Sequence, residues 1–204
     1  DLILEGGNRE GMWSRVGHGF TGNNVRVGNG QEMLIGGAVT VNVGRDVFLN
    51  GEKAGEMDVN EDQPAKDNGL AIGHGAMVVV EGANRGQITV LDGGTINGLT
   101  LPSTITVNAG RDITVIGGNG AQDVVGEIGP SGTHSQIGHG AASLFGDTLS
   151  ARGFQGAINV SADRDIVLRA TNNGIVHDAA GSIILASSGG AAVIGNGGIH
   201  MDAP

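Results

Sequence analysis

The feature that most constrains the fold is a motif of two alternating β segments joined by a polar turn that contains Arg-Asp. It occurs in full at residues 39–49, 105–115 and 158–168, and a weaker copy covers 180–185. In the central copy, ITVNAGRDITV, apolar and polar residues alternate, which predicts strands with one buried face. One strand–turn–strand unit cannot bury that face alone, so we expect the copies to stack on one another.

The alternation also assigns a direction to each side chain of the central copy. We expect Thr106 and Thr114 to point outward, where β-branched residues suit a strand. The apolar side chains expected to point inward are Ile105, Val107, Ile113 and Val115. Stacking at about 4.8 Å would then pair each backbone N–H and C=O with the neighbouring copy.

A second motif, Gly-His-Gly, alternates with the first along the chain. Its copies are Gly17-His18-Gly19, Gly73-His74-Gly75 and Gly138-His139-Gly140, followed by the degenerate Gly195-Asn196-Gly197. These copies recur at a period of about 60 residues, whereas Ile88-Thr89-Val90 and Ile105-Thr106-Val107 are offset by only about 17, as are Asp165 and Ser182. We therefore expect three coils of roughly 17–22 residues in each larger unit, with the histidines roughly 14 Å apart.

These patterns predict an all-β chain, a parallel β-helix or β-solenoid of roughly 17–22-residue coils. Residues 1–204 are expected to form a single domain of this kind. One polar, acidic stretch at residues 50–69 has no alternation and is interpreted as a loop excursion. The opening Asp1-Leu-Ile-Leu matches the second half of the Arg-Asp motif, so we expect the chain to begin within a coil.

The corner residues of both motifs have structural roles in this interpretation. Asp46, Asp112 and Asp165 are expected to close their own turns with Asx-type hydrogen bonds. The preceding Arg45, Arg111 and Arg164 are expected to be exposed. The Gly-His-Gly copies are interpreted as corners in which the histidine side chain bonds nearby backbone.

Composition excludes several classes of partner. The net charge of −10 is unfavourable for binding nucleic acid, which requires basic patches, and for binding an anionic membrane surface. No membrane-spanning run or signal peptide is recognisable. Cysteine is absent, which rules out a disulfide framework and any Cys-based metal site. Glycine, at 40 of 204 residues, serves the many turns.

Three segments resemble ligand-binding motifs, but each lacks part of the pattern that the motif requires. Gly17–Gly22 fits GxGxxG, but the sequence after it predicts a turn and strand rather than the helix that a dinucleotide site needs. Asp58–Asp62 resembles the start of a calcium loop, yet the loop glycine and the final glutamate are missing. Gly117–Asp123 resembles a calcium nonapeptide without tandem copies. We therefore expect no cofactor, with calcium as the weaker alternative.

No catalytic constellation emerges from the sequence. The Arg-Asp pairs occur once in each larger unit, so repetition accounts for them without chemistry. Sugar-stacking aromatic residues are nearly absent, since aromatics make up 2% of the chain. The chain is therefore not expected to be an enzyme.

The Ile-Gly-His-Gly copies, together with ITVNAGRDITV and INVSADRDIVL, resemble the repeats of large bacterial exoproteins of the filamentous-haemagglutinin-like type. The resemblance covers nearly the whole chain except the excursion. It implies a parallel β-helical surface fibre, secreted to the cell surface, with a structural or adhesive role.

Two functions follow as expectations. In the first, the chain is a structural segment or processed subunit of an extracellular fibre that stacks end to end, with itself or with a longer solenoid, through uncapped edges. In the second, it is an adhesin module whose loops, mainly residues 50–69, bind a ligand on a host or neighbouring cell.

Overall fold

The described part of the chain is built from β-strands. The computed structural model describes residues 1–6, 13–23, 32–51, 69–79, 87–90, 94–96, 99–101, 103–118, 134–140, 144–145, 156–170, 176–177, 183–185, 190–196 and 201–202. No helix occurs in these segments, and hence none that could cross a membrane. The predicted all-β class is confirmed.

The strands are short and evenly distributed along the chain. In chain order they are β1 (Leu2–Glu5), β2 (Trp13–Val16), β3 (Gly19–Asn23), β4 (Glu32–Ile35), β5 (Val39–Val43), β6 (Val47–Asn50), β7 (Gly69–Ile72), β8 (Gly75–Val79), β9 (Gln87–Val90), β10 (Gly94–Ile96), β11 (Leu99–Leu101), β12 (Ile105–Ala109), β13 (Ile113–Ile116), β14 (His134–Ile137), β15 (Leu144–Phe145), β16 (Ile158–Ala162), β17 (Ile166–Arg169), β18 (Val176–His177), β19 (Ile183–Leu185), β20 (Ala192–Ile194) and β21 (Met201–Asp202).

Three parallel sheets contain the repeated motifs. Sheet I joins β1, β6, β13 and β17, sheet II joins β2, β7, β14 and β20, and sheet III joins β5, β12 and β16. The first three passages of the chain visit these sheets in the order I, II, III, and the fourth visits I and then II. We call each passage a rung. The parallel pairs β3–β8, β4–β9 and β15–β21 also join neighbouring rungs, whereas β10–β11 and β18–β19 are antiparallel.

Equivalent residues of the Arg-Asp motif lie side by side in sheets I and III. Ile105 pairs with Val39 on one side and with Ile158 on the other. In sheet I, Ile113 pairs with Val47 and Ile166 in the same way. No residue is inserted between these pairs, so the alternation of one rung continues in phase in the next.

The predicted coil of roughly 17–22 residues is wrong. Strands that pair in parallel among the described residues begin much further apart in the chain, at Leu2 and Val47 for β1 and β6 and at Val39 and Ile105 for β5 and β12. The shorter offset that suggested the smaller coils compares strands of the same rung, because β9 pairs with β4 while β12 pairs with β5 and β16. Residues 183–185 of the weaker copy form β19, which is antiparallel to β18 and has no parallel partner among the described strands.

The core lies between the inner faces of the three sheets. It is a single cluster of buried residues formed by Val39, Val41, Val47, Leu49, Leu70, Ile72, Ile105, Val107, Ala109, Ile113, Val115 and Ile137. The four inward positions predicted in the central copy are fully buried, as expected. Removing a side chain of this size from water contributes about 1.5–3 kcal/mol.

Candidate functional site

Aspartate and arginine side chains form a column at the corner between sheets III and I. Arg45 Nη2 donates to Asp1 Oδ2 at 2.7 Å, and Arg111 Nε donates to Asp46 Oδ1 at 3.0 Å. Arg164 Nε donates to Asp112 Oδ1 at 3.1 Å. Each arginine therefore binds the aspartate of the rung before its own. We call the set Asp1, Arg45, Asp46, Arg111, Asp112, Arg164 and Asp165 the Arg-Asp column.

The same carboxylates also accept backbone amides from the next rung. Asp112 N donates to Asp46 Oδ1 at 3.3 Å, and Asp165 N donates to Asp112 Oδ1 at 3.3 Å. The predicted Asx-type bond within each turn is therefore wrong for Asp46 and Asp112. The local prediction failed because the next rung places an amide and a guanidinium within reach of the same oxygen atoms.

Charge pairing shifts the pKa of Asp46, Arg111 and Arg164 in this column. The hydrogen bond from Arg111 lowers the pKa of Asp46 below 3.8, and partial burial opposes this shift. The pKa of Arg111 and that of Arg164 are raised because each guanidinium donates to an aspartate. The arginine side chains are 43–64% exposed, as predicted, so water screens the pairs and they add little stability. Their geometry instead favours one register of rungs.

Histidine side chains form a second column at the corner that follows sheet II. The ring centroids of His18 and His74 are 5.0 Å apart, and those of His74 and His139 are also 5.0 Å apart. Interplanar angles of 16° and 29° make both contacts stacked. The predicted separation of roughly 14 Å assumed that successive histidines are three coils apart. It is wrong because they lie on adjacent rungs. We call these three residues the histidine column.

The rings reach across the interior to the segment that precedes sheet III. A Cβ on Gly37 would lie 2.7 Å from His18 Cε1, and one on Gly156 would overlap with His139 Nε2 and the Ser103 carbonyl oxygen. In the fourth rung Asn196 takes the histidine position, and its Nδ2 donates to the Gly156 carbonyl oxygen at 3.1 Å. The small residues at this segment therefore make room for the column.

Burial dominates the electrostatics of His74. The residue is 2% exposed, and its ring nitrogens make no hydrogen bond of good geometry with described residues. Burial and, to a smaller extent, the neighbouring His139 lower the pKa of His74 from 6.5 to about 4. The backbone of Gly37 raises this pKa, but its effect is smaller than that of burial. His74 is therefore neutral at physiological pH.

The glycine that precedes each histidine lies close to the next rung. A Cβ on Gly73 would overlap with the Gly138 carbonyl oxygen, and Gly73 has a φ of +143°, where side chains are strained. Gly17 and Gly138 approach the following rung in the same way. On the far side of the histidines, Gly19 pairs with Gly75 in β3 and β8, and Gly140 N donates to the His74 carbonyl oxygen at 3.0 Å.

Sequence reasoning missed a third column, on the outer face of sheet III. Asn108 Nδ2 donates to Asn42 Oδ1 at 2.8 Å, and Ser161 Oγ donates to Asn108 Oδ1 at 2.6 Å. The sequence does contain a signal for this column, because all three residues occupy the same polar position of the Arg-Asp motif. We call Asn42, Asn108 and Ser161 the amide column.

The three segments that resemble ligand-binding motifs are only partly described by the structure. Gly19–Gly22 of the GxGxxG match lie in β3, and the residues after Asn23, where a dinucleotide site would begin its helix, lie outside the described residues. The calcium-like Asp58–Asp62 lies outside the described residues, as does the excursion from residue 52 to 68. Only Gly117 and Gly118 of Gly117–Asp123 are described. Within the described segments, no group of three or more His, Cys, Asp or Glu residues could hold a metal ion.

Comparison with known protein families, with curated proteins and with solved structures finds no match for this chain.

Proposed function

We propose that this chain is a structural segment of an extracellular bacterial fibre, in which it forms a parallel β-solenoid with one rung for each copy of the Arg-Asp motif. The single observation that supports this proposal most strongly is the common register of columns across successive rungs. A fibre needs a cross-section that repeats along its axis, and stacked rungs of one motif supply such a cross-section.

The columns would give such a fibre its resistance to extension. Backbone hydrogen bonds link successive rungs along each sheet, for example Ile113 N to the Asp165 carbonyl oxygen at 2.9 Å. The Arg-Asp column and the amide column add side-chain bonds in the same direction. Parting two rungs would therefore break many bonds at once.

The outer rungs of the described part suit further extension. In β17, Ile166 and Leu168 are 44% and 48% exposed, whereas the equivalent Ile113 and Val115 are fully buried in β13. Another rung of the same motif would cover these side chains and pair with the strand backbone. In our proposal that rung comes from a longer polypeptide or from another copy of the chain.

Placement outside the cell rests on the sequence resemblance to large bacterial exoproteins. The composition agrees with this placement, since a net charge of −10 keeps stacked rods soluble and unsuited to nucleic acid. The absence of cysteine means that such a fibre depends on hydrogen bonds and apolar packing rather than disulfides.

Electron microscopy of the isolated chain, with two matched variants, tests the proposal. We expect rods whose diffraction shows a repeat near about 4.8 Å along the axis. Leu168→Lys places a charge on the inner face of the outer rung and should shorten or abolish the rods. Val167→Lys alters a residue of similar exposure, 45%, on the outer face of the same strand, and should leave the rods intact.

Monodisperse particles of wild-type protein, with no tendency to elongate, would contradict extension by the chain itself. Rods that form equally well with both lysine variants would show that β17 is not the extending edge.

A further inference from the structure

The histidine column stacks three imidazole rings, of which His74 and His139 are buried and His18, at the end of the column, is exposed. Each neighbouring pair of centroids is separated by 5.0 Å, and His74 and His139 are 2% and 0% exposed. A protonated ring in this position would lose its hydration and face another ring of the same kind. A positive charge on either of these two buried rings is therefore unfavourable, and His74 stacks well only while it is neutral.

Among the described residues, the groups that face the column from other elements do not supply a negative charge. Gly37, Ser103 and Gly156, from the segments ahead of β5, β12 and β16, are uncharged. From β2, Arg15 is half-buried and its positive charge acts against protonation of His74. The other groups that act on the ring are His18 and His139, so no carboxylate in the described part of the chain offsets a charge on His74.

We propose that the histidine column makes the association of successive rungs sensitive to acid: neutral rings allow the rungs to stack, and protonation drives them apart. This inference concerns the regulation of the assembly and does not depend on where the protein is located. It also does not depend on whether copies of the chain join end to end, because the column lies within one chain.

The direction of the effect follows from linkage. Burial lowers the pKa of His74 from 6.5 to about 4, so between these values the unfolded chain binds a proton that the folded chain does not. Stability must therefore fall as the pH drops from about 6.5 towards 4. For His74 alone, the folding equilibrium constant should fall on the order of 100-fold between pH 7.5 and 4.5.

Asp46, in the Arg-Asp column, responds to acid in a different range. Because Arg111 lowers the pKa of Asp46 below 3.8, the stability contributed by this carboxylate is lost only as the pH falls below that value. A loss of stability that occurs between about pH 6.5 and 4 would therefore belong to His74 rather than to Asp46.

Denaturant unfolding of wild type and His74→Asn at a series of pH values between 7.5 and 4.5 tests the inference. Asparagine is the matched replacement, because Asn196 occupies this position in the fourth rung and bonds to backbone there. We expect the wild-type folding equilibrium constant to fall steeply and that of His74→Asn to fall on the order of 100-fold less. Parallel pH profiles for the two proteins would overturn the inference.

A measurement on wild-type protein keeps the inference testable if His74→Asn does not fold. NMR titration of the imidazole carbons should show a ring that stays neutral at pH 5 and titrates only as the rungs part. If all histidines instead titrated near 6.5 in the folded protein, the proposed acid sensitivity would be ruled out.

Discussion

Arg111 donates two hydrogen bonds to the carboxylate of Asp46, which lies 65 residues earlier in the chain. Arg45 donates to Asp1 of the preceding rung in the same direction, and Arg164 donates to Asp112. A motif that looks local in the sequence thus makes its strongest side-chain contacts with its neighbouring copy. The Arg-Asp column favours the alignment in which equivalent positions of neighbouring rungs lie side by side.

Asp46→Asn should reduce stability only slightly at neutral pH, because the pair with Arg111 is exposed to water. The reduction should shrink further in about 0.5 M salt, which shortens the range of the interaction. Denaturant unfolding at low and high salt checks both points. Since the pKa of Asp46 is lowered below 3.8, the difference between wild type and variant should also disappear as the pH falls through the folded-state pKa. A difference that persists in acid would contradict the ion-pair explanation.

Ile113→Ala should reduce the free energy of unfolding by about 2–5 kcal/mol, because the side chain is fully buried between β6 and β17. Thr114→Ala is the matched control, since the neighbouring residue points to the outer face and its truncation should change stability by less than about 0.5 kcal/mol. Calorimetry or denaturant unfolding of the two variants measures the difference. Equal effects would mean that the assignment of inner and outer faces is incorrect.

Gly73→Ala should be strongly destabilising, on the order of 3 kcal/mol, because a Cβ there would overlap with the Gly138 carbonyl oxygen in a strained backbone conformation. Gly44→Ala provides the control, because a Cβ at Gly44 would meet nothing within 4 Å. Thermal unfolding followed by circular dichroism compares the two. A tolerated alanine at position 73 would show that the rungs are further apart at this corner.

Asn108→Ala should reduce the free energy of unfolding by about 0.5–1.5 kcal/mol, because Asn108 bonds to Asn42 and to Ser161. A double-mutant cycle with Ser161→Ala should give a positive coupling energy, since the two residues share a hydrogen bond of 2.6 Å. Additive effects would indicate that the amide column does not persist in solution.

The sequence was sufficient to predict the strands of the Arg-Asp motif and, in its central copy, their inner and outer faces. Strict alternation placed Ile105 and Val107 inside correctly, because a period of two has only one solution when one face is apolar. The parallel partners of these strands could not be predicted from the repeat length, because that length does not give the number of strands in a rung. A rung includes strands from several sheets. The offset between β9 and β12 is therefore a distance between two strands of one rung and not the length of a coil.

The contacts of the corner residues could not be derived from local patterns. An aspartate in a turn usually bonds to its own turn, and only the parallel register shows that Asp46 faces Arg111 and Asp112. The stacking of His74 on His139 depends on the same register. Both columns were visible as repeated residues, but their spacing in three dimensions required the pairing of the strands.

Disulfide trapping between Thr40 and Thr106 tests the central claim most directly. These residues are direct partners in parallel strands β5 and β12, and the chain contains no native cysteine to interfere. Paired strands lie about 4.7–4.9 Å apart, which falls within the Cα separation that a disulfide tolerates. Thr89 and Thr106, which the shorter coil would make neighbours, serve as the comparison.

Under mild oxidation, the Thr40→Cys/Thr106→Cys variant should form an intramolecular disulfide, measured as a mobility change on non-reducing gels and by mass spectrometry. The Thr89→Cys/Thr106→Cys variant should remain reduced under the same conditions. The opposite result, with a disulfide between positions 89 and 106 and none between 40 and 106, would contradict the stacking of successive Arg-Asp motifs as neighbouring rungs.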